Sequence, residues 1–469
     1  MSALLAELRA IVGDAGLLAL PDDMARYDSD GRGAGGAAIA VVRPATTGEV
    51  SALMRALHRH GAPVVPQGGR SGLAGAGLAA GAVVLSLERL AQAPQIDPIN
   101  RTVQVDSGVP LSSLNAAAAA HGLTFPIDLG ADPSVGGMVV ANTGGARFLR
   151  YGDVRRNLLG LEVVLADGEG TVIELGGPVW KDNSGLDLKQ LFTSSAGALG
   201  VVTRATLALQ PLPANRVTAL VGLATPAAAA PLLVELERRA GTLLTAFEGI
   251  SATALELALA HVPRLRRPFA ASPPYSVLIE LSGGSGLPAG LLTNLLEEAI
   301  VPLIEIGTAI DAAVDEGDSL WAIRHAIPEG LRAHGSVIAC DIAVRRGDLS
   351  RFRELAAAEV AQRWPQLVVA DFGHVGDGGL HFNMVWPRDA GPAPAGLAAA
   401  VQSLVFAMVV EQFSGSFSAE HGIGPRNIDH YARFTPPPVR DLAGRVQRLV
   451  APAGLGRVDF GAQLENAHV

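Results

Sequence analysis

The chain has 469 residues, too long for a single hydrophobic core, since cores stop growing at roughly 250–300 residues, so two or three domains are expected. Thirty-six Lys and Arg against 45 Asp and Glu give a net charge of −9, which argues against nucleic-acid binding, a task that needs clustered positive charge. One cysteine, Cys340, excludes a disulfide framework and a thiolate metal cluster, and it fits a reducing compartment. The longest apolar stretch, 396–410, is interrupted by Gln402 and Ser403 and falls short of the ~20 residues needed to span a bilayer. Near the N-terminus Glu7 and Arg9 interrupt an apolar pattern, which predicts an amphipathic helix and not a signal peptide. The expected location is cytoplasmic, free or peripheral to a membrane.

From residue 1 to about 215 strands, glycine turns and helices alternate. A short strand at 39–42 ends at Pro44. Thr46 and Glu49 then form a capping box that opens a helix over 50–60. Further strands are predicted at 64–65, 83–87, 103–105 and 161–165, the last closing on the turn signal Asp167-Gly168. After Pro211 and Pro213 the texture changes. A strand at 217–223, a helix at 232–240, a strand at 275–281 and a helix at 287–300 suit an antiparallel sheet covered by helices on one face. The segment 441–460 reads as a helix and a turn. The resulting division is an N-terminal helical segment 1–34, a domain 35–214, a domain 215–424 and a C-terminal segment 425–469 that docks on the first domain.

Two glycine loops follow strands in the first domain. Pro66-Gln67-Gly68-Gly69-Arg70-Ser71-Gly72 leads into Gly75 and Gly77. Glycines without Cβ let backbone N–H groups converge on an anion, as phosphate nests do. No Lys-Ser/Thr follows, so this is not a Walker loop, and no acid stands at the spacing of the Rossmann fingerprint. The second run spans Asp128, Ser134, Gly136, Gly137, Ala141, Asn142, Gly144 and Gly145. Two such loops in one domain suit one large ligand touched at several points.

The most informative stretch is His374-Val375-Gly376-Asp377-Gly378-Gly379-Leu380-His381. Asp377-Gly378 is a strong two-residue hairpin signal. That turn would pair His374 with His381, whose Cβ atoms would then lie ~4.5–5.5 Å apart on one face, close enough to share a metal ion. Asn383 points the same way by strand periodicity. A third ligand is available in Glu420-His421-Gly422-Ile423-Gly424, and three N/O ligands with an open position are a common catalytic zinc arrangement.

Taken in order, PQGGRSGLAGAG, DLGADPSVGGMVVANTGGARFLRYG, LGLEVVLADGEG and LGVVTRATLALQP resemble the FAD-binding domain of the vanillyl-alcohol-oxidase and p-cresol-methylhydroxylase superfamily. With the histidine hairpin and the Glu-His-Gly-Ile-Gly motif, the resemblance is to the branch of D-lactate, glycolate and D-2-hydroxyglutarate dehydrogenases. It implies an α+β protein: a PCMH-type FAD-binding domain plus an antiparallel-sheet, ferredoxin-like substrate (cap) domain. FAD would be bound non-covalently, since no His or Cys lies in the first loop. Pro66, Gly68, Gly69, Arg70, Ser71 and Gly72 would hold the diphosphate. Asp128, Ser134, Gly136, Gly137, Ala141, Asn142, Gly144 and Gly145 would run along the cofactor, with backbone contacts from Val201 and Val202. One departure is Ala196, where the family usually has a glutamate.

By the same resemblance His374, His381 and Glu420 would bind a divalent metal, zinc first and manganese second. His421 would be the catalytic base. Arg324 would hold the substrate carboxylate, joined in substrate binding by Asn383. The implied activity is oxidation of a D-2-hydroxy acid to the 2-oxo acid: the metal acts as Lewis acid, His421 takes the hydroxyl proton, and a hydride passes to the flavin. Electrons would leave to an electron-transfer flavoprotein, a quinone or a cytochrome, and a homodimer is allowed. Hydroxyglutarate-type members tend to carry a lysine where Ala339 stands and a threonine near Pro328, so a second substrate carboxylate has no evident partner here. A non-catalytic FAD-binding electron-relay subunit of a larger oxidase complex would keep the glycine loops without the hairpin and the Glu-His pair. A hydrolase built on the metal alone leaves the flavin loops unexplained.

Overall fold

In the computed structural model, which describes residues 2–461, the short apolar runs between glycine turns become strands, and these fall into two compact units. The first comprises the chain up to Thr143, Asp153–Leu212 and the chain from His421 on; the second comprises Gly144–Gly152 and Pro213–Glu420. Residues Gly144–Gly152, read from sequence as part of the cofactor domain, therefore cluster with the second unit.

The first unit is built on two main sheets, beside two short two-stranded pairs. Strands β1 (Leu17–Leu18), β2 (Ala40–Val42), β3 (Val64–Gln67) and β4 (Val83–Ser86) lie in the order β1-β2-β4-β3. β2 and β3 run parallel to β4. Parallel neighbours need crossover connections. The helix Thr47–Arg59 lies between β2 and β3, and the first glycine loop lies between β3 and β4. That helix begins at the predicted cap: Thr46 Oγ1 accepts from the Glu49 N–H at 3.1 Å. Glu49 reaches back to the Ala45 N–H at 2.7 Å, one residue before the cap itself.

Strands β5 (Gln95–Asp97), β6 (Thr102–Asp106), β7 (Leu158–Val164), β8 (Val172–Gly176) and β9 (Val201–Ala208) form the second sheet, antiparallel throughout, in the order β8-β7-β9-β6-β5. Its core gathers Val103, Val105, Leu161, Val163, Val202 and Leu207 with Met138 and Val139 of the helix Val135–Ala141. From the C-terminal helix Pro437–Val450, Val446 and Val450 pack on this core, and Ala451 and Leu455 join the core of the first sheet.

The second unit is built on one large antiparallel sheet of β10 (Asn215–Leu223), β11 (Leu244–Ser251), β12 (Tyr275–Gly283), β13 (Ala309–Asp315), β14 (Gly335–Ala343), β15 (Val368–Val369), β16 (Phe372–Gly373) and β17 (Gly379–Pro387). The order is β13-β10-β12-β11-β16-β17-β14, with β15 also on β17. Helices Ala252–His261 and Ser319–His334 bury Ala254, Ala258, Ile323 and Ile327 against Ala246, Ile250 and Leu278 of the sheet. All of β11 is buried, and so are the first eight residues of β12. Both faces at the sheet centre are therefore covered, not one as the sequence pattern suggests. A strand covered on both sides reads as a continuous apolar run, which carries no alternation to betray its second face.

Candidate active site

The histidine hairpin is wider than its sequence predicts. Phe372, not His374, stands opposite His381 in the ladder. The turn occupies the residues after Gly373, and the His374 carbonyl accepts from the N–H groups of Asp377 and Gly379, both at 3.1 Å. Asp377 Oδ1 closes the same turn by accepting from the Gly379 N–H at 2.8 Å. At Gly378 φ is +98°, an added Cβ would lie 2.2 Å from the Val344 carbonyl, and the Gly378 carbonyl accepts from the Val344 N–H at 3.0 Å, so the turn lies close against the segment after β14. The two imidazoles nevertheless meet edge to face, with centroids 5.0 Å apart.

Around them lies a chain of ionisable groups. His374 Nδ1 is 2.9 Å from Glu248 Oε1, and its Nε2 is 3.4 Å from Glu420 Oε2. Glu248 Oε2 accepts from Arg324 Nε at 2.7 Å, and the guanidinium lies over the Phe372 ring. Asp341 stands directly opposite His381 in the β14–β17 pairing, its Oδ1 3.4 Å from His381 Nδ1. Asp341 Oδ2 also accepts from the Glu420 N–H at 2.8 Å, which holds the third candidate ligand in place. Asn383 lies two residues along the same face of β17, buried and opposite Ala339. Ligand atoms of His374, His381 and Glu420 all fall within 4.8 Å of one another.

The electrostatics follow from burial. Glu248 is 1 % exposed; burial opposes its charge, but the His374 imidazole and the Arg324 guanidinium prevail and hold its carboxyl at about 2. Burial likewise opposes a charged His374, yet Glu248 and Glu420 hold its pKa well above the ordinary value. Burial outweighs the His374 imidazole and the Gly379 N–H at Asp377, whose carboxyl is pushed up to about 6. A protonated imidazole between two carboxylates stands where a cation is wanted, and two histidine nitrogens with a carboxylate are a donor set that zinc accepts. The residues fit a divalent metal.

Arg324 sits on the helix Ser319–His334, buried, with Pro328 one turn further along. Its single pairing through Nε leaves the Nη1/Nη2 edge, which matches a carboxylate bidentately. Gly144, read from sequence as a cofactor contact, lies beside Glu420: a Cβ there would be 2.9 Å from Glu420 Oε1. Gly145 follows it at φ +146°. His421 is the next residue in the chain after Glu420 and begins the last segment of the first unit.

In the first unit the two glycine loops converge on one hydroxyl. Ser134 Oγ accepts from the N–H groups of Gly69, at 3.3 Å, and Gly137, at 3.4 Å. A Cβ on Gly68 would lie 2.2 Å from the same oxygen. Arg70 adopts φ +58° with its guanidinium over the Tyr27 ring, and the Gly72 carbonyl accepts from the Gly31 N–H. Gly136 donates to the Ser107 carbonyl at 2.8 Å. Ala141 ends the helix Val135–Ala141, and Asn142 follows at φ +51°, its side chain donating to Asp153 and accepting from the Arg155 N–H. Pro66 lies in β3 and Asp128 in a loop, both half-buried, while Ser71 borders the first glycine loop. Val201 and Val202 turn their side chains into the two cores, so only their backbone could face a ligand. Bare backbone brought together from two loops fits one extended phosphate-bearing cofactor.

Sequence reasoning missed Glu248, Asp341 and, in the first unit, Gln67, whose amide donates to the carbonyls of Tyr27 and Gly77 and so ties both ends of the first loop. For Glu248 a signal existed. It is the one acid within the apolar run 244–251, and a carboxylate in such a run must find a buried partner.

These features define a flavin-dependent oxidoreductase. The chain belongs to the FAD-linked oxidases: residues 38–175 match a family described as an FAD binding domain, and residues 212–455 match the C-terminal domain of FAD linked oxidases. It is 35% identical over 395 residues to D-2-hydroxyglutarate dehydrogenase of Xanthomonas citri pv. viticola, covering 82% of this chain and 81% of that one. The counterpart from Stutzerimonas stutzeri is 31% identical, with 97% of both chains covered. The mitochondrial D-2-hydroxyglutarate dehydrogenase of Rattus norvegicus is 33% identical, with 88% of this chain and 76% of that one covered. Among solved structures, p-cresol methylhydroxylase with substrate bound superposes with a TM-score of 0.76 at 18% identity, covering 96% of this chain and 95% of that one, a likeness of fold. No helix among the described residues is long and apolar enough to cross a membrane.

Proposed function

We propose that the chain oxidises a D-2-hydroxy acid to the 2-oxo acid, with FAD held non-covalently by the glycine loops and a divalent cation, zinc or manganese, on His374, His381 and Glu420. The observation that carries this reading is the hydrogen-bonded line from Arg324 through Glu248 to His374 and on to Glu420. It joins a carboxylate anchor to a set of metal-ligating groups. The names of the relatives support the hydroxy-acid class.

When bound, FAD supplies a two-electron acceptor and the cation supplies Lewis acidity. Arg324 holds the substrate carboxylate through its Nη edge, buried where the pairing is little screened by water. Asn383, on the same strand face as His381, orients the substrate. His421 takes the hydroxyl proton on its imidazole, the side-chain type most often used as a general base at neutral pH. Electrons then pass to an electron-transfer flavoprotein, a quinone or a cytochrome. A cytoplasmic location is part of the same proposal.

The test is a panel of D- and L-2-hydroxy acids with an artificial electron acceptor, alongside an absorption spectrum of the purified protein. Yellow protein that reduces the dye with D-acids and not with their L-isomers is expected. A flavin-free spectrum, or equal rates with both isomers, would sink the reading.

A further inference from the structure

A metal-ligating imidazole must be neutral, and which nitrogen it offers is set by the hydrogen bond that the other nitrogen makes. A guanidinium on a long side chain must likewise be held if it is to present one edge. In the second unit a single carboxylate does both. Glu248 Oε1 is 2.9 Å from His374 Nδ1, and Glu248 Oε2 is 2.7 Å from Arg324 Nε. Its side chain is 1 % exposed, so both interactions are shielded from solvent.

The strand explains how Glu248 reaches both partners. It sits in β11, which pairs with β16 through Gly249–Gly373, immediately before His374. Ala246 and Ile250, two residues to either side, face the same core as Ile323 and Ile327 of the helix carrying Arg324. β11 therefore lies beside the histidine loop in the sheet and beneath the arginine helix. The flanking side chains are apolar, and in such surroundings an unpaired carboxylate is costly.

We propose that Glu248 is a positioning residue that couples metal binding to substrate binding. One oxygen keeps the proton of His374 on Nδ1 and so presents Nε2 to the cation, while the other holds Arg324 with its Nη edge toward the substrate carboxylate. The inference rests on the functional reading above, and it adds that metal affinity and carboxylate recognition share one residue that touches neither ligand.

The test is Glu248→Gln, which keeps the shape but cannot accept from both partners at once. Zinc retained after dialysis against graded chelator measures metal affinity without reference to activity, and steady-state dye reduction gives KM and kcat for the hydroxy acid. The expected result is a loss of about ten- to a hundredfold in metal affinity, the range for removal of a group that orients a ligand. It should come with a rise of about tenfold or more in KM, while the flavin spectrum stays that of the wild type. A folded variant in which only one of the two quantities moves, or neither, overturns the coupling. If Glu248→Gln does not fold, histidine ¹⁵N spectra of the zinc-loaded wild type decide: a slowly exchanging His374 Nδ1 proton supports the proposal, and its absence overturns it. Wild-type protein that holds no zinc at all would instead remove the metal reading itself.

Discussion

At the scale of single residues, the site depends on which charges are matched. His421→Ala is expected to abolish dye reduction while the purified protein stays yellow, because in the proposed mechanism the residue takes the substrate proton, and it lies outside the glycine loops. Loss of flavin, or an active mutant, would assign it a different role. In the proposed mechanism substrate choice turns on Ala339 and Pro328. Ala339 stands opposite Asn383, and Pro328 follows Arg324 by one helical turn; neither carries a group that could pair with an anion. The nearby cations are engaged elsewhere, Arg346 with Glu237 and Arg345 with Asp348. A second carboxylate buried there would cost several kcal/mol unpaired. Monocarboxylic D-2-hydroxy acids with apolar or aromatic side chains should therefore exceed D-malate and D-2-hydroxyglutarate in kcat/KM by roughly tenfold or more, one decade for each 1.4 kcal/mol. A diacid as the best substrate in a kinetic series refutes this, even though the relatives carry hydroxyglutarate in their names.

At the scale of elements, two contacts hold segments that the strands alone would leave loose. Glu280 on β12 accepts from Arg147 Nε and Nη2, both at 2.8 Å, from Trp321 Nε1 at 2.9 Å and from Thr245 Oγ1 at 2.7 Å. Burial raises its pKa, but Arg147, Thr245 and Arg216 outweigh that and hold the carboxyl below its ordinary range. A folded pKa below the unfolded one gives stability that is present above the ordinary value near 4.3 and is lost as pH falls through the folded value. Glu280→Gln should cost about 3 kcal/mol at pH 7, and the gap from wild type in urea melts should narrow below pH ~4.3. A gap independent of pH would show that the carboxylate acts through packing alone. In the first unit, Gly68→Ala forces a Cβ against Ser134 Oγ. Overpacking of that kind costs about 1–3 kcal/mol, so FAD retention on gel filtration should weaken roughly ten- to a hundredfold. An unchanged flavin content would place the cofactor elsewhere.

At the scale of the whole molecule, the first glycine loop and the second as far as Asn142 belong to one unit, and Gly144, Gly145 and the proposed metal ligands His374, His381 and Glu420 to the other. The two groups should therefore be separable by chemistry. Chelator treatment is expected to remove dye reduction while leaving the flavin spectrum intact, and zinc or manganese should restore the rate. His374→Ala should lower metal content, since three protein ligands become two. Active enzyme free of metal by elemental analysis would mean that His374 and His381 meet the substrate directly.

What the sequence determined by itself was local. The glycine loops, the Thr46 cap and the chain reversal between His374 and His381 are legible because each depends on a few adjacent residues and on intrinsic backbone preference. What only the tertiary structure decided was partnership across the chain. Glu248 precedes His374 by 126 positions and Arg324 by 76, and no periodicity links them. Asp341 meets His381 only through the register of β14 on β17. The hairpin shows the boundary between the two. Asp377-Gly378 signals a tight turn, but only Gly378 takes the positive φ that such a turn asks of both residues, and the reversal starts at His374, which leaves the ladder. Long-range packing settles what local preference leaves nearly balanced, because burying a strand and pairing its charges involve more free energy than the choice of one turn over another.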